Sequence, residues 1–460
     1  MIERWFPDVQ ALFTDATSLL EDARGPAVAR LRAAAGLIAN THCTVLVAGL
    51  CSVGKSSFVG ALWGDPAMLP TAVRDCTQTN TLIRQPAKGE ADRCILLSYL
   101  PLEQALDYAT RDLSFYRLAA LIADIQGPLG PRLDQKPPQE RLRYVIQSVR
   151  KLFDERPSLF VLHEPLTEDL NKLDQFLLFL DSREYQEGQT VAAKWDDRHE
   201  LLMGRRHADG RTLDVGKLLA LRHVEMVRQT NVWPACTEND TPRLIDTPWI
   251  PAYHNARRAD LILSRAREAD ILVILALPDK FDFEPWVLQI LRERPELLKR
   301  TLVVFNQVDT VDSTALFSRD GFAAIYQENS DRLARLGILR ENLFLSCARL
   351  PFLQSGSQDD TVRELISRLT RVLERLGKLV GGRAEGEFKQ KLLSACNKAD
   401  AGIESLRARL SKLTREAVLP KRAIEALNAL DAISSLELDA RGQAEWIQIR
   451  ARMQKLRSYL

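Results

Sequence analysis

The sequence predicts an α/β P-loop domain on a mainly parallel sheet, with a large helical insertion and an α-helical bundle formed by the N- and C-terminal segments. Two observations lead there. Short apolar runs rich in Val, Ile and Leu recur between helical stretches, as buried parallel strands do. One of them feeds a glycine-containing loop, Gly49-Leu-Cys-Ser-Val-Gly54-Lys55-Ser56, that opens a helical run. At 460 residues, 46% hydrophobic, the chain suits a large domain plus a second element and is too apolar for disorder. The net charge of +2 gives no bulk attraction to nucleic acid, and none is expected as a partner. Seven scattered cysteines without a CxxC pair fit a reducing cytosol rather than a disulfide framework or a zinc site. With acids where a signal peptide needs bases, and no apolar run near 18 residues, a cytoplasmic location is expected, with membrane contact at most peripheral.

In chain order, residues 8–39 read as two helical segments broken at Gly25-Pro26. Strands are expected at 44–48, 242–245, 271–277, 301–305 and 343–345. Between about 100 and 240 the pattern turns helical, at 102–125, 140–153 and 170–180, joined by Pro/Gly clusters. Beyond 358 the strands stop. Leu365, Leu369, Val372, Leu376 and Leu379, then Leu392, Cys396, Ala399, Ile403, Leu406, Leu410 and Leu413, alternate spacings of four and three, which predicts two long helices separated at Gly381-Gly382. Each run is short for a coiled-coil seam and favours an intramolecular bundle. The expected division is 1–40 (bundle), 41–357 (α/β domain with insertion 100–240) and 358–460 (bundle or short stalk).

The chemistry starts at GxxxxGKS. Backbone N–H groups of such a loop cradle phosphates, Lys55 reaches the β- and γ-phosphates, and the Ser56 hydroxyl ligates Mg²⁺. Asp246, in Leu244-Ile-Asp246-Thr247-Pro248, ends a β-rich run with the acid that a metal-linked strand requires. Asn306-Gln307-Val308-Asp309 resembles NKxD, whose Asp pairs with the guanine N1 and exocyclic amino groups, and adenine offers no donors there. Ser346-Cys347-Ala348 resembles the SAK loop that gives a backbone N–H to guanine O6. All four stand at strand C-terminal ends, where open α/β sheets bind ligands.

From Gly49 to Arg84 the stretch GLCSVGKSSFVGALWGDPAMLPTAVRDCTQTNTLIR resembles the dynamin-superfamily GTPases, the bacterial dynamin-like type. The resemblance is motif-deep over about 45–350 and architectural at the two ends. It implies a P-loop GTPase fold and a catalytic set of Lys55, Ser52, Thr77 and Asp246. It implies GTP/GDP contacts from Gly49, Cys51, Ser52, Val53, Gly54, Lys55, Ser56, Ser57, Thr77, Asp246, Asn306, Gln307, Asp309, Ser346 and Cys347. Mg²⁺ would sit on Ser56 and Thr77, with Ser52 helping to hold K⁺ or Na⁺. Slow turnover stimulated by pairing of two G domains follows from the same resemblance. Three departures stand out. Trp249 replaces the glycine of DTPG, Gln307 replaces the lysine that covers the base, and Asp75 stands where proline is common.

The leading expectation is a GTPase that couples G-domain pairing to movement of a helical bundle, at a membrane in this family. Trp249 favours the alternative, a weakly hydrolysing or hydrolysis-deficient switch that recruits a protein partner. An ATP-driven machine is the third reading. His223, Glu225 and Cys236 superficially resemble a deaminase zinc site but lack the second cysteine, and Phe281, Phe283 and Trp286 read as packing before a lipid wedge. Residues 361–460 hold 20 basic against 12 acidic side chains, leaving 43 against 49 elsewhere. Such a tail is a solvated helix face, or it meets anionic lipid, a partner or another copy.

Overall fold

The strands that carry the expected motifs lie side by side. In the computed structural model β1 (Thr44–Gly49) pairs in parallel with β6 (Arg243–Asp246) and β7 (Ile271–Ala276), and β8 (Thr301–Phe305) and β9 (Leu343–Leu345) continue in parallel. The structure describes residues 2–19, 26–39, 42–50, 52–69, 79–87, 89–126, 133, 135–156, 164–198, 202, 215–233, 241–248, 256–278, 283, 285–311, 321–348, 350, 367–368, 370–372, 383–396, 401–431 and 440–457. β1, β7 and β8 are buried along almost their whole length, and for that reason they read as continuous apolar runs.

Four further strands make the sheet nine-stranded and mixed, in the order β4-β3-β5-β2-β6-β1-β7-β8-β9. β2 (Thr81–Arg84) runs antiparallel to β6 and parallel to β5 (Leu221–Val227). β3 (Cys94–Tyr99) is antiparallel to both β5 and β4 (Thr190–Ala193). The insertion is therefore more than helices, because β4 and β5, from within the expected helical stretch, extend the sheet. Its expected helix 102–125 is two, Leu102–Thr110 and Leu113–Gln126. Asp112 divides them. Its carboxylate accepts the Ser114 N–H at 3.0 Å and the Lys172 ammonium at 2.8 Å, from the helix Glu164–Leu180. Burial pushes the Asp112 pKa up, but the Lys172 charge and the Ser114 hydrogen bonds outweigh it and hold the group below its ordinary value.

The chain divides into two compact units, residues 44–232 with 243–404 and residues 1–43 with 233–242 and 405–460. The second unit is the bundle, with helices Ile2–Leu19, Pro26–Ala39, Leu419–Asp431 and Ala440–Arg457. Its core repeats three- and four-residue spacings: Val9, Leu12, Phe13 and Ala16; Leu31, Ala34 and Ile38; Ala423, Ala426, Leu427 and Leu430; Trp446, Ile449, Met453 and Leu456. Each large buried side chain contributes about 1.5–3 kcal/mol. Before Leu419–Asp431 the backbone widens into a π turn, Thr414–Val418. Pro420 accounts for it, since it has no N–H to donate and its ring crowds the carbonyl of Glu416.

Two features differ from the sequence pattern. The helix expected through 392–413 is broken at Ala401-Gly402, both at positive φ (50° and 75°), into Arg383–Cys396 and Ile403–Leu413. Arg383–Cys396, expected in the C-terminal bundle, groups with the α/β unit and packs on β9, burying Leu392, Ala395 and Cys396. Of the first heptad run, 365–379, only 367–368 and 370–372 are among the described residues.

Two substitutions test these cores. Leu427→Ala should destabilise the bundle by about 2–5 kcal/mol in denaturant titration, the cost of a cavity at a fully buried site. Lys172→Met leaves the Asp112 carboxylate buried and unpaired, and should cost about 2–4 kcal/mol near neutral pH. Because the folded pKa of Asp112 is depressed, its contribution is complete above its unfolded pKa of about 3.9. It is lost as pH falls through the folded value, so the deficit of Lys172→Met should shrink in acid.

Candidate functional site

The loop after β1 is shaped by its backbone. Gly49 has φ +151, and a Cβ there would stand 2.5 Å from the Leu275 carbonyl of β7, so the chain can pass that close only without a side chain. The loop leads into the helix Lys55–Trp63, where the Phe58 N–H donates to the Gly54 carbonyl at 2.9 Å. The first-turn N–H groups of a helix have no intrahelical acceptor. Lys55, only 9% exposed, donates its ammonium to the carbonyls of Gly49 at 2.7 Å and Leu50 at 2.9 Å. A phosphate would draw that ammonium off the loop.

Ser56 and Asp246 meet, although 190 residues separate them. The Ser56 hydroxyl donates to Asp246 Oδ2 at 2.7 Å, and Asp246 is 1% exposed. Thr247 fixes the end of β6 by donating its hydroxyl to the Val47 carbonyl at 2.8 Å. One hydroxyl and one carboxylate held together beside the P-loop are hard oxygen donors of the kind Mg²⁺ takes, so this pair fits the metal. Thr77, Cys51, Asp75 and Trp249 lie outside the described residues.

Asn306 joins three loops. Buried to 1%, its Nδ2 donates to the Val53 carbonyl of the P-loop at 2.8 Å, while its Oδ1 accepts the Ala348 N–H at 3.1 Å. Beside it, Gln307 donates its amide to the Ser52 carbonyl at 2.6 Å, a strap across the same two loops. Among the described residues four non-glycines have positive φ, and Ser52, Gln307 and Ala401 are three of them. Such conformations persist only where surrounding bonds over-determine them, and here they gather at one place.

The loops after β8 and β9 are closed on one another. Asp309, 2% exposed, accepts the Cys347 thiol at 3.2 Å. In the last loop the Ser346 N–H donates to the Phe305 carbonyl at 2.8 Å, Cys347 N–H to the Ala401 carbonyl at 3.2 Å, and Ala348 to Asn306. The first is a sheet-edge bond and the last holds Asn306. The Cys347 N–H, bonded to a turn, is the one an incoming acceptor can take at least structural cost. The Ser346 hydroxyl also donates to the Ala401 carbonyl, at 3.0 Å. Burial, together with the Asp309 charge and hydrogen bond, pushes the Cys347 thiol far up, and burial with the same charge pushes Cys396 up to about 12.

Sequence reasoning missed the Ala401-Gly402 turn as part of this site. The signal was present in a glycine inside a heptad pattern. A Cβ on Gly402 would stand 2.1 Å from the Leu345 carbonyl, so the turn is fitted against the end of β9. Of the residues that resembled a zinc site, His223 and Glu225 have other partners and Cys236 lies outside the described residues. His223 Nδ1 lies 2.9 Å from the Arg265 guanidinium, and Glu225 is paired with Arg84. Burial, then the charges of Arg265 and Arg222, lower the His223 pKa to about 3. Phe283 and Trp286 are buried, as packing requires, and Phe281 lies outside the described residues.

No family model matches the sequence, and no curated protein is similar enough in sequence to count as a match. Similar solved structures include two from an oligomerised bacterial dynamin pair described as sensing and tethering membranes at long range. One is 13% identical over 99% of this chain and 74% of that one, with a TM-score of 0.37. The other is 12% identical over 93% of this chain and 53% of that one, with a TM-score of 0.39.

Asn306→Ala should cost about 2–4 kcal/mol, because it leaves the Val53 carbonyl and the Ala348 N–H buried without their partner. Urea titration of the nucleotide-free protein reads this. A cost below about 0.5 kcal/mol would show that the three loops hold together without the amide.

Proposed function

We propose that the chain binds guanine nucleotide at the C-terminal ends of β1, β6, β8 and β9 and hydrolyses GTP slowly. The observation that carries this reading is the convergence on one place of four loops, with Asn306 bonded to two of the others. In this reading the P-loop N–H groups and Lys55 hold the β- and γ-phosphates, and Gln307 lies over the base. Asp309 accepts from the guanine N1 and exocyclic amino groups, and the Cys347 N–H donates to O6. Ser56, Asp246 and, by resemblance, Thr77 would hold Mg²⁺, which neutralises charge on the β- and γ-phosphates when bound. Ser52, at positive φ in the P-loop, is the residue proposed for K⁺ or Na⁺.

Coupling of nucleotide to a helical bundle, through pairing of copies, belongs to the same proposal. It is supported by the turn at Ala401-Gly402, which bonds the base-reading loop and is followed in the chain by Ile403–Leu413 and the bundle helix Leu419–Asp431. The basic excess of residues 361–460 supports an anionic surface as target, a membrane or an acidic partner, and no described helix is long and apolar enough to cross a membrane. Trp249 in place of glycine supports a second reading, a GTP-dependent scaffold with little or no hydrolysis.

Fluorescent GTP and ATP analogues separate these readings. Guanine should be preferred over adenine by about a hundredfold or more, since a site built on donors and acceptors rejects a base lacking them. Asp309→Asn should weaken guanine binding by about 10- to 100-fold, and Lys55→Ala should weaken both phosphate forms. Equal affinity for the two bases would sink the proposal. Phosphate release that rises more steeply than protein concentration, in Mg²⁺ and K⁺, supports the hydrolytic form. Tight binding with no release supports the scaffold.

A further inference from the structure

β2 and β6 run antiparallel with Thr81 directly opposite Asp246. Residues opposed in this way share one face of the sheet with their Cβ atoms about 4.5–5.5 Å apart. Thr81 is 0% exposed, and its hydroxyl has no hydrogen-bonding partner among the described residues. Thr79, two residues upstream and 2% exposed, has a hydroxyl in the same condition. Sheet pairing reaches back between them, since the Val224 N–H donates to the Asn80 carbonyl at 3.0 Å. The cross-strand pairing therefore places the Thr81 hydroxyl on the side that carries Asp246.

A buried hydroxyl without a partner keeps the full penalty of leaving water. Valine has the same shape, favours strands and carries no such penalty. The hydroxyl at 81 therefore works against the stability of this conformation, and an unsatisfied group in a native site points to another state in which it is satisfied. The acceptor opposite it is the Asp246 carboxylate, which takes the Ser56 hydroxyl on Oδ2, and a carboxylate accepts on both oxygens.

Resting on the guanine-nucleotide reading of this site, we propose that Thr81 is a positioning residue: in the nucleotide-loaded state its hydroxyl donates to Asp246 and fixes the carboxylate beside Ser56. Thr81 lies four residues after Thr77 on the same segment. Thr81 acts through Asp246 and does not itself touch nucleotide.

The test compares wild type, Thr81→Val and Thr81→Ser, using a fluorescent GDP analogue titrated with Mg²⁺ and melts of the nucleotide-free protein in EDTA. Thr81→Val should melt at or above the wild-type temperature when empty. It should also need about tenfold more Mg²⁺ for half-maximal nucleotide retention, the value of one hydrogen bond to a charged group. Thr81→Ser, which restores the hydroxyl, should stay within about twofold of wild type. With Asp246→Asn as background, adding Thr81→Val should change the Mg²⁺ requirement little, because the two act together. An unchanged Mg²⁺ midpoint in Thr81→Val overturns the proposal. So does a Thr81→Val chain that melts early or fails to fold, or a Thr81→Ser chain as impaired as Thr81→Val. Absence of nucleotide binding in wild type is a different result and sinks the guanine-nucleotide reading itself.

Discussion

The carboxamide of Asn306 is the constraint on which the site depends. Three loops that start from β1, β8 and β9 are far apart in sequence, and this one buried group gives a donor to the first and an acceptor to the third. A buried amide bonded at both ends offsets its desolvation with those bonds and fixes its neighbours in both distance and direction. Aspartate would lose the donor and leucine would lose both. Because Asn306 follows β8, whose residues are all buried, it cannot drift, and the loops on either side take their positions from it.

Strain around that amide follows the same logic. Ser52, Gln307 and Ala401 each adopt a positive φ that disfavours a side chain, and each lies on a segment pinned by a hydrogen bond across the site. Isolated in a loop, any of them would relax. The bonds that prevent it run from Gln307 to the Ser52 carbonyl and from Ser346 to the Ala401 carbonyl, so one residue's strain is held by another's contact. Gln307 also shows how a departure from a motif is absorbed. Where lysine would present a charge, the shorter neutral amide finds the P-loop backbone.

What the sequence made legible depended on the range of the physics involved. β1, β7 and β8 are buried on both faces and announce themselves as apolar runs, and each motif after β1, β6, β8 and β9 is a contiguous string. β3 buries every second residue, Ile95, Leu97 and Tyr99, and β5 interrupts its buried positions with Arg222, His223 and Glu225, so no continuous buried run marked them. The pairings that define them join residues more than a hundred positions apart. The break at Ala401-Gly402 was hidden for the opposite reason. The heptad continues across it from Ala399 to Ile403, and only the close approach of Gly402 to Leu345, a tertiary fact, makes the turn necessary. The motifs give Ser56 and Asp246 each a role beside Mg²⁺, whereas their direct contact and the closure of Asp309 by the Cys347 thiol need the coordinates of both partners.

That closure carries a thermodynamic consequence. The Ala401 carbonyl accepts from both the Ser346 hydroxyl and the Cys347 N–H, so the turn ahead of Ile403–Leu413 is held by the loop after β9. Any ligand atom that takes the Cys347 N–H does so in competition with Ala401, and the free energy of that exchange appears in the ligand's affinity. The reverse must hold by the same amount, because a coupling free energy between two sites is reciprocal. Whatever pulls the turn away from the last loop frees the Cys347 N–H and favours an acceptor there. Whatever presses it home opposes one. A single carbonyl therefore ties the loop after β9 to the Ala401-Gly402 turn. The size of that link is bounded by about two hydrogen bonds, on the order of 1–3 kcal/mol in total. That range is enough to change an affinity by about five- to 150-fold.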